Sequence, residues 1–354
     1  MISPRLHAEL ERCARATLVY DLARIDANLA NVAAAARAHD IRVLFAAKSF
    51  PHARVLALAA RRLDGFDVAS AGELSAARAL GTGASPIVSI FDPTGRAIAG
   101  AASTGRTIAS IETPAQLAAA PPHADLAIRI SASITGRDPA VGAILDGTGH
   151  RRSRFGLDDR AAIGELVELA RGRRLGLHVH HGPVTATSPE RFLASAQAAL
   201  GLVDFEPAFL NLGGAWHGLG DLPAALAAIR AAIARAIELI IEPGRLFAAN
   251  AGFASGLVTV KRAIGDRELR VTDLSRACHL RWSPVDLIAP APHPGRGVKT
   301  LIVGPTCYEE DTIGEWTVDP ICVDERVLLR DVPGYALAWN TGFAGIPPAD
   351  VRII

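Results

Sequence analysis

The chain has 354 residues, half of them hydrophobic and 21% charged, which excludes bulk disorder and supplies apolar material for a large core. Its 37 Lys and Arg balance 36 Asp and Glu. No excess positive charge exists to drive nucleic-acid or anionic-membrane binding, so a small-molecule partner is expected.

The opening stretch MISPRLHAELERCARA is charged throughout and has no apolar leader region. Residues 1–18 are expected to pack with the C-terminal part of the chain. From residue 19 onward, short apolar runs alternate with runs of helical periodicity. The strand candidates are RVLFAA (42–47), FDVAS (66–70), PIVSI (86–90), RTIASI (106–111), DLAIRI (125–130), LGLHVH (175–180), AFLNLG (208–213) and ELIIEP (238–243). Helical runs such as ARVLALAARRL, PERFLASAQAAL and LPAALAAIRAAIARA separate most of them. The interval 91–105 is only weakly helical, and 131–157 reads as a long polar loop.

Near-continuous apolar strands are buried on both faces. Eight strand–helix units predict an α/β architecture, a (β/α)8 TIM barrel over 19–254, with an open doubly wound sheet as the alternative. After about residue 255 helical periodicity ends. GLVTVKRAI, RELRVTDL, KTLIVG, WTVDPICV and RVLLRDV, separated by turns, predict an all-β domain at 255–354. Cys13, Cys278, Cys307 and Cys322 form no C-x-x-C pair, and four in so long a chain make no disulfide scaffold. No apolar run reaches the ~20 residues of a membrane-spanning helix. A soluble, cytoplasmic protein is expected.

Barrel chemistry stands at the C-terminal ends of the strands. Those positions hold Lys48; Asp67 and Glu73; Arg129; His178, His180 and His181; Gly213 and Gly214; and Glu242, Gly244 and Arg245. A lysine at a strand end is ordinarily a surface residue. Lys48, however, follows an apolar strand in a chain whose cations are mostly Arg, and only an amine can form a Schiff base. The glycines are either turn residues or a backbone cradle for phosphate, which barrels often place beside strands seven and eight. The histidines are either satisfied core residues or ligands. Glu242, at the end of a buried strand, needs a partner to be charged, and a protonated ring nitrogen would serve.

Together these residues resemble the fold-type III pyridoxal-phosphate decarboxylases, the group of ornithine and diaminopimelate decarboxylases, which share the alanine-racemase barrel. AAKSF, FDVASAGEL, SRFGL, GLHVHHG, NLGGA, EPGR, VGPTCYEED and PGYALAW stand in family order over nearly the whole chain. The resemblance implies pyridoxal 5'-phosphate held by Lys48, with His180 stacked on its ring and Glu242 on the ring nitrogen. It implies a phosphate site of Gly213, Gly214, Gly244 and Arg245 helped by Tyr335. Asp67 and Glu73 would lie around Lys48 and His180, and Arg129 near the cofactor. Cys307 from a partner subunit would face the substrate and reprotonate the product. The implied enzyme is a homodimer with shared active sites that releases CO2 from an amino acid or amino-acid conjugate.

The chain also departs from the family. Tyr308 replaces an acid that grips a distal amine, with Glu309, Glu310 and Asp311 following, so a simple diamine-forming substrate is in question. Pro183 stands for a phosphate-binding serine, with Thr185 as a substitute; Ala215 stands for a third glycine, followed by Trp216 and His217. LSRACHLRW carries Arg276, His279 and Arg281, either a solvated face or a cationic grip on extra carboxylates. That stretch resembles the siderophore-biosynthesis branch. Three alternatives stay open: an amino-acid racemase of this fold, a metal-dependent barrel hydrolase using His178, His180 and Asp273, and a non-catalytic pyridoxal-phosphate carrier. Glu242 favours decarboxylation over racemisation, because a racemase of this fold resembles an arrangement with Arg at the ring nitrogen.

Overall fold

A computed structural model describes residues 4–80, 86–101, 105–135, 144–145, 151–180, 189–293, 295 and 297–354. The chain divides into two compact units: 29–48 with 52–246, and 1–28 with 49–51 and 247–354.

The first unit is a closed parallel barrel. Its strands in chain order are Ile41–Ala46, Gly65–Val68, Ile87–Ile90, Arg106–Ile111, Asp125–Ile130, Leu175–Val179, Phe209–Asn211 and Glu238–Ile241. All eight expected strands are present, the eighth pairs with the first, and the open-sheet alternative is thereby excluded. Leu44, Ile87, Ile108, Ala127, Phe209 and Ile240 pack together as an apolar plug in the lower interior. Burying each such Leu, Ile or Phe contributes about 1.5–3 kcal/mol. Several helices begin where the sequence offers a cap. Ser70 accepts the Glu73 N–H, Thr113 accepts from Gln116 ahead of Pro114, Asp159 accepts from Ala162, and Asp221 accepts from Ala224. Among its described residues, the weakly helical interval holds the single helical turn Arg96–Ala99. Within the expected polar loop, Ile144–Leu145 and Arg151–Arg152 pair as a short antiparallel ribbon.

The second unit is built on a sheet ordered Asp286–Ala289, Arg326–Arg330, Gly252–Ile264, Arg267–Thr272, Val298–Val303 and Thr312–Val318. The strand Thr17–Tyr20 joins it, antiparallel to Gly252–Ile264 and parallel to Asp350–Ile353. The N-terminal helix Pro4–Glu11 buries Leu6 and Leu10 in a cluster with Val19, Phe253 and Leu328. WTVDPICV is only partly strand: pairing ends at Val318, before Pro320, which has no N–H to give the ladder. No helix of the described residues is long and apolar enough to cross a membrane.

Candidate active site

Barrel side chains alternate inward and outward, so strands in register aim a common layer at the axis. Register places Asp67 beside Ser89, Arg129 beside His178, and His178 beside Asn211. Asp67, Ser89, Ser110, Arg129, His178, Asn211 and Glu242 are all buried. The interior is therefore apolar toward the strand starts and polar toward their C-terminal ends.

Lys48 lies in the single turn Ala47–Ser49 that follows the first strand. Its Nζ meets Asp67 Oδ2 at 2.5 Å, and its side chain is 38% accessible. The amine is thus paired with a buried carboxylate while its side chain stays partly accessible. Glu73, expected near Lys48, serves as a helix cap: its Oε2 accepts the Ala69 N–H at 2.9 Å while Ser70 accepts the Glu73 N–H. Burial raises its carboxyl above the ordinary value, and the charge of Asp67 adds to the rise; the Ala69 bond and Lys48 oppose it.

Glu242 follows the eighth strand. Burial pushes its carboxyl up to about 7, with the Asp67 charge adding; Lys48 and hydrogen bonds from Asn211 and Ser89 oppose the rise. Asn211 Nδ2 donates to Oε1 at 2.5 Å, and the other oxygen lies 3.5 Å from His178 Nε2. A carboxyl group so placed is poised to ionise when a cation is set before it.

Asn211 also accepts the Gly213 N–H at 2.9 Å, and the Gly213 carbonyl accepts from Glu242 N and Trp216 Nε1, both at 2.7 Å. One asparagine thereby ties the glycine loop to Glu242. Trp216, read from sequence as a bulky departure, is buried and stacks on Phe192 with centroids 4.0 Å apart. It anchors the loop. His180, just past the sixth strand, accepts the Gly214 N–H on Nδ1 at 2.9 Å. A Cβ at Gly213 would come within 2.5 Å of that nitrogen, and one at Gly214 within 2.9 Å of Cε1. The glycines thus admit the imidazole. The expectation that both offer free N–H groups to phosphate needs correction, because Asn211 and His180 occupy them. Ala215, in the place of a third glycine, adopts φ +70°.

Gly244 and Arg245 follow Glu242, with Arg245 opening a short turn, Arg245–Ala248. Burial and the Arg245 charge push the His217 imidazole down. Arg129 lies over the Phe91 ring at 4.5 Å. Burial pulls its guanidinium down to about 10, opposed by Glu242, Asp67 and Glu112. His178 takes Arg129 Nη1 at 2.7 Å on Nε2 and meets Ser110 Oγ at 2.7 Å on Nδ1. Burial, with the neighbouring Arg129, holds this imidazole well below its ordinary pKa. His181, Pro183 and Thr185 lie outside the described residues.

In the β unit, two expected substrate residues prove internal. Asp311 accepts from Ser275 Oγ at 2.9 Å, Ala277 N at 3.1 Å and Thr306 Oγ1 at 2.7 Å, which spends its oxygens on its own loop and the 275–277 stretch. His279 is fully buried, with Nδ1 on Ser275 N and Nε2 on Pro347 O, both at 3.0 Å. Arg276 donates to Ser283 O. Of that cationic stretch only Arg281 is exposed, stacked over Trp339 at 4.7 Å. Cys307 and Tyr308 are exposed, the Tyr308 hydroxyl 3.2 Å from Glu310. Tyr335 opens the short helix Tyr335–Ala338 beside Trp282.

The nitrogens and oxygens of His178, His180 and Glu242 lie within 4.8 Å of one another, a spacing that could gather a cation. Arg129 already donates to His178, and Gly214 to His180, so the lone pairs a metal needs are engaged. Asp273, the third member of the expected metal set, caps Leu257 N in the β unit. A strand-end amine, a buried carboxyl and an imidazole seated on glycines fit pyridoxal phosphate instead.

Residues 22–249 match the family described as pyridoxal-dependent decarboxylase, pyridoxal binding domain. The chain belongs to this decarboxylase family. A diaminopimelate decarboxylase from Deinococcus radiodurans is 28% identical, over 94% of this chain and 88% of that one. An ornithine decarboxylase from Schizosaccharomyces pombe is 26% identical, over 86% and 76%. In fold, the lysine/ornithine decarboxylase of Vibrio vulnificus superposes with TM-score 0.82 over both whole chains at 18% identity. As a member of the family, the protein is a carboxy-lyase of amino acids and its cofactor is pyridoxal phosphate.

Asn211, Ser89, Ser110 and Phe91 escaped the sequence reading. Asn211 left a signal, since an amide ending an apolar strand needs buried partners. Ser89, Ser110 and Phe91 left none, because nothing local says which face of a barrel strand points inward.

Proposed function

We propose that Lys48, Glu242 and His180 form the cofactor centre of an amino-acid decarboxylase, and that the observation carrying this reading is Glu242. A carboxyl buried at 3% exposure and raised to about 7 is costly unless a cation faces it. A pyridinium nitrogen is such a cation. Pyridoxal phosphate, when bound, supplies the electron sink that accepts the bonding pair as CO2 leaves. Lys48 holds the cofactor by its amine, with Asp67 as counter-ion at 2.5 Å. Asn211 keeps Glu242 aimed, and Glu242 holds the ring-nitrogen proton. His180 covers the ring, and Gly244, Arg245 and Tyr335 take the phosphate, with Gly214 joining once His180 yields its N–H. Cys307 returns a proton to the product carbon.

The enzyme works as a cytoplasmic homodimer with Cys307 contributed across the interface; its four free cysteines suit a reducing compartment. With Asp311 and His279 spent internally, Tyr308 and Arg281 remain for the distal part of the substrate. This pairing suits a group bearing a carboxylate better than a bare amine.

Borohydride reduction of the cofactor-loaded enzyme followed by peptide mapping should mark Lys48; a label elsewhere, or none, overturns the reading. A CO2-release screen over diaminopimelate, ornithine, lysine and arginine, in both configurations, and over carboxylate-bearing conjugates should identify the substrate. Racemised product without CO2 would assign the protein to the racemase chemistry instead.

A further inference from the structure

The barrel interior sets a guanidinium and a carboxylate in one layer without joining them. Arg129 Nη1 donates to His178 Nε2 at 2.7 Å, and the same ring nitrogen stands 3.5 Å from Glu242 Oε2. Among the described residues no carboxylate lies within ion-pair distance of Arg129, whose other side rests on the Phe91 ring. In a dry interior such a pair ordinarily closes into a bidentate bridge. Here an imidazole stands between them.

The ring is anchored on two sides. Arg129 Nη1 lies 2.7 Å from Nε2 and 3.1 Å from Nδ1, so the guanidinium meets both ring nitrogens, while Ser110 Oγ meets Nδ1 at 2.7 Å. Burial favours the neutral form of this imidazole. Ser110 sits on the fourth strand, Arg129 on the fifth and His178 on the sixth, so three successive strands place this chain of hydrogen bonds.

We propose that His178, oriented by Ser110, is a positioning residue that holds Arg129 off Glu242 and reserves that carboxylate for the ring nitrogen of pyridoxal phosphate. The proposal rests on the reading of Glu242 as the ring-nitrogen partner. A guanidinium that captured Glu242 would neutralise it from the wrong side. The cofactor would then lose its anchor at the ring nitrogen and be held less tightly.

The test is a double-mutant cycle read by the dissociation constant for pyridoxal phosphate, measured by tryptophan fluorescence on refolding-competent, cofactor-stripped protein. His178→Ala should bind about tenfold more weakly, and His178→Ala with Arg129→Gln should return to within about threefold of wild type. A purely packing role for His178 predicts no such rescue. Unchanged affinity in His178→Ala, or a double variant no tighter than the single one, overturns the proposal. Should His178→Ala lack the wild-type circular dichroism, Ser110→Ala becomes the probe: it should weaken binding about threefold and be rescued by Arg129→Gln. No loss in Ser110→Ala then overturns it. Failure of the wild-type protein to bind the cofactor at Lys48 would instead overturn the reading of the whole site, which separates the two failures.

Discussion

Glu242 takes its proton affinity from the barrel interior rather than from its own chemistry. Its folded-state value of about 7 lies above the ordinary 4.5. Between those values the folded chain holds a proton that the unfolded chain has released. Stability of the cofactor-free protein is therefore full below the lower value and falls as pH rises through the window. Thermal melts at about pH 5 and about pH 8 should show Glu242→Gln gaining on wild type at the higher pH. A constant difference would mean that Glu242 does not titrate there. Ala215 makes a second test at this scale. At φ +70° its Cβ crowds the backbone, so Ala215→Gly should stabilise the fold by about 1 kcal/mol in chemical denaturation. At this scale the sequence was legible in residue type and blind to partners. Lys48 and Glu242 announced themselves at strand ends. That Asp311 and His279 are consumed by Ser275, Thr306 and Pro347 depends on loops meeting in space.

The elements divide by how local their reasons are. Each barrel strand was readable because an apolar run bounded by helices has few other fates. In contrast, Thr17–Tyr20, Asp286–Ala289 and Asp350–Ile353 went unread. The first is buried only because Gly252–Ile264 and Asp350–Ile353 close on it from far along the chain. The strand starts carry a device of their own. Glu238 bridges Arg106 at 2.8 Å and Arg174 at 3.0 Å, Asp125 bridges the same two arginines, and both guanidiniums lie over the Phe209 ring. Burial would raise the Glu238 carboxyl, but Arg106 and Arg174 outweigh it and hold it below its ordinary value. This network closes the end of the barrel opposite the polar layer. Glu238→Gln should lower unfolding stability by about 1 kcal/mol, since it leaves Asp125 alone to balance two guanidiniums, while leaving kcat unchanged. A drop in kcat at full stability would contradict the separation of the two ends.

For the whole molecule, the polar upper layer and the apolar plug beneath it explain how one barrel both folds and binds. The plug supplies cohesion, and the layer above supplies a fixed arrangement of charges, where the proposed chemistry is placed. If active sites are shared between subunits, mixing inactive Lys48→Ala protein with a Cys307→Ala variant that has lost turnover should restore activity that neither has alone. Unrestored activity in a mixture shown to exchange subunits would mean that each site is complete within one chain. The sequence by itself determined the strand–helix alternation, the β-rich C-terminal part and the residue types offered at the strand ends, because periodicity and residue type are local properties. Only the tertiary structure decided that His178 stands between Arg129 and Glu242, that Asn211 binds the glycine loop to the carboxylate, and that Asp311 and His279 are spent internally. Those are matters of strand register and loop closure, which follow from packing across the fold and leave no local trace.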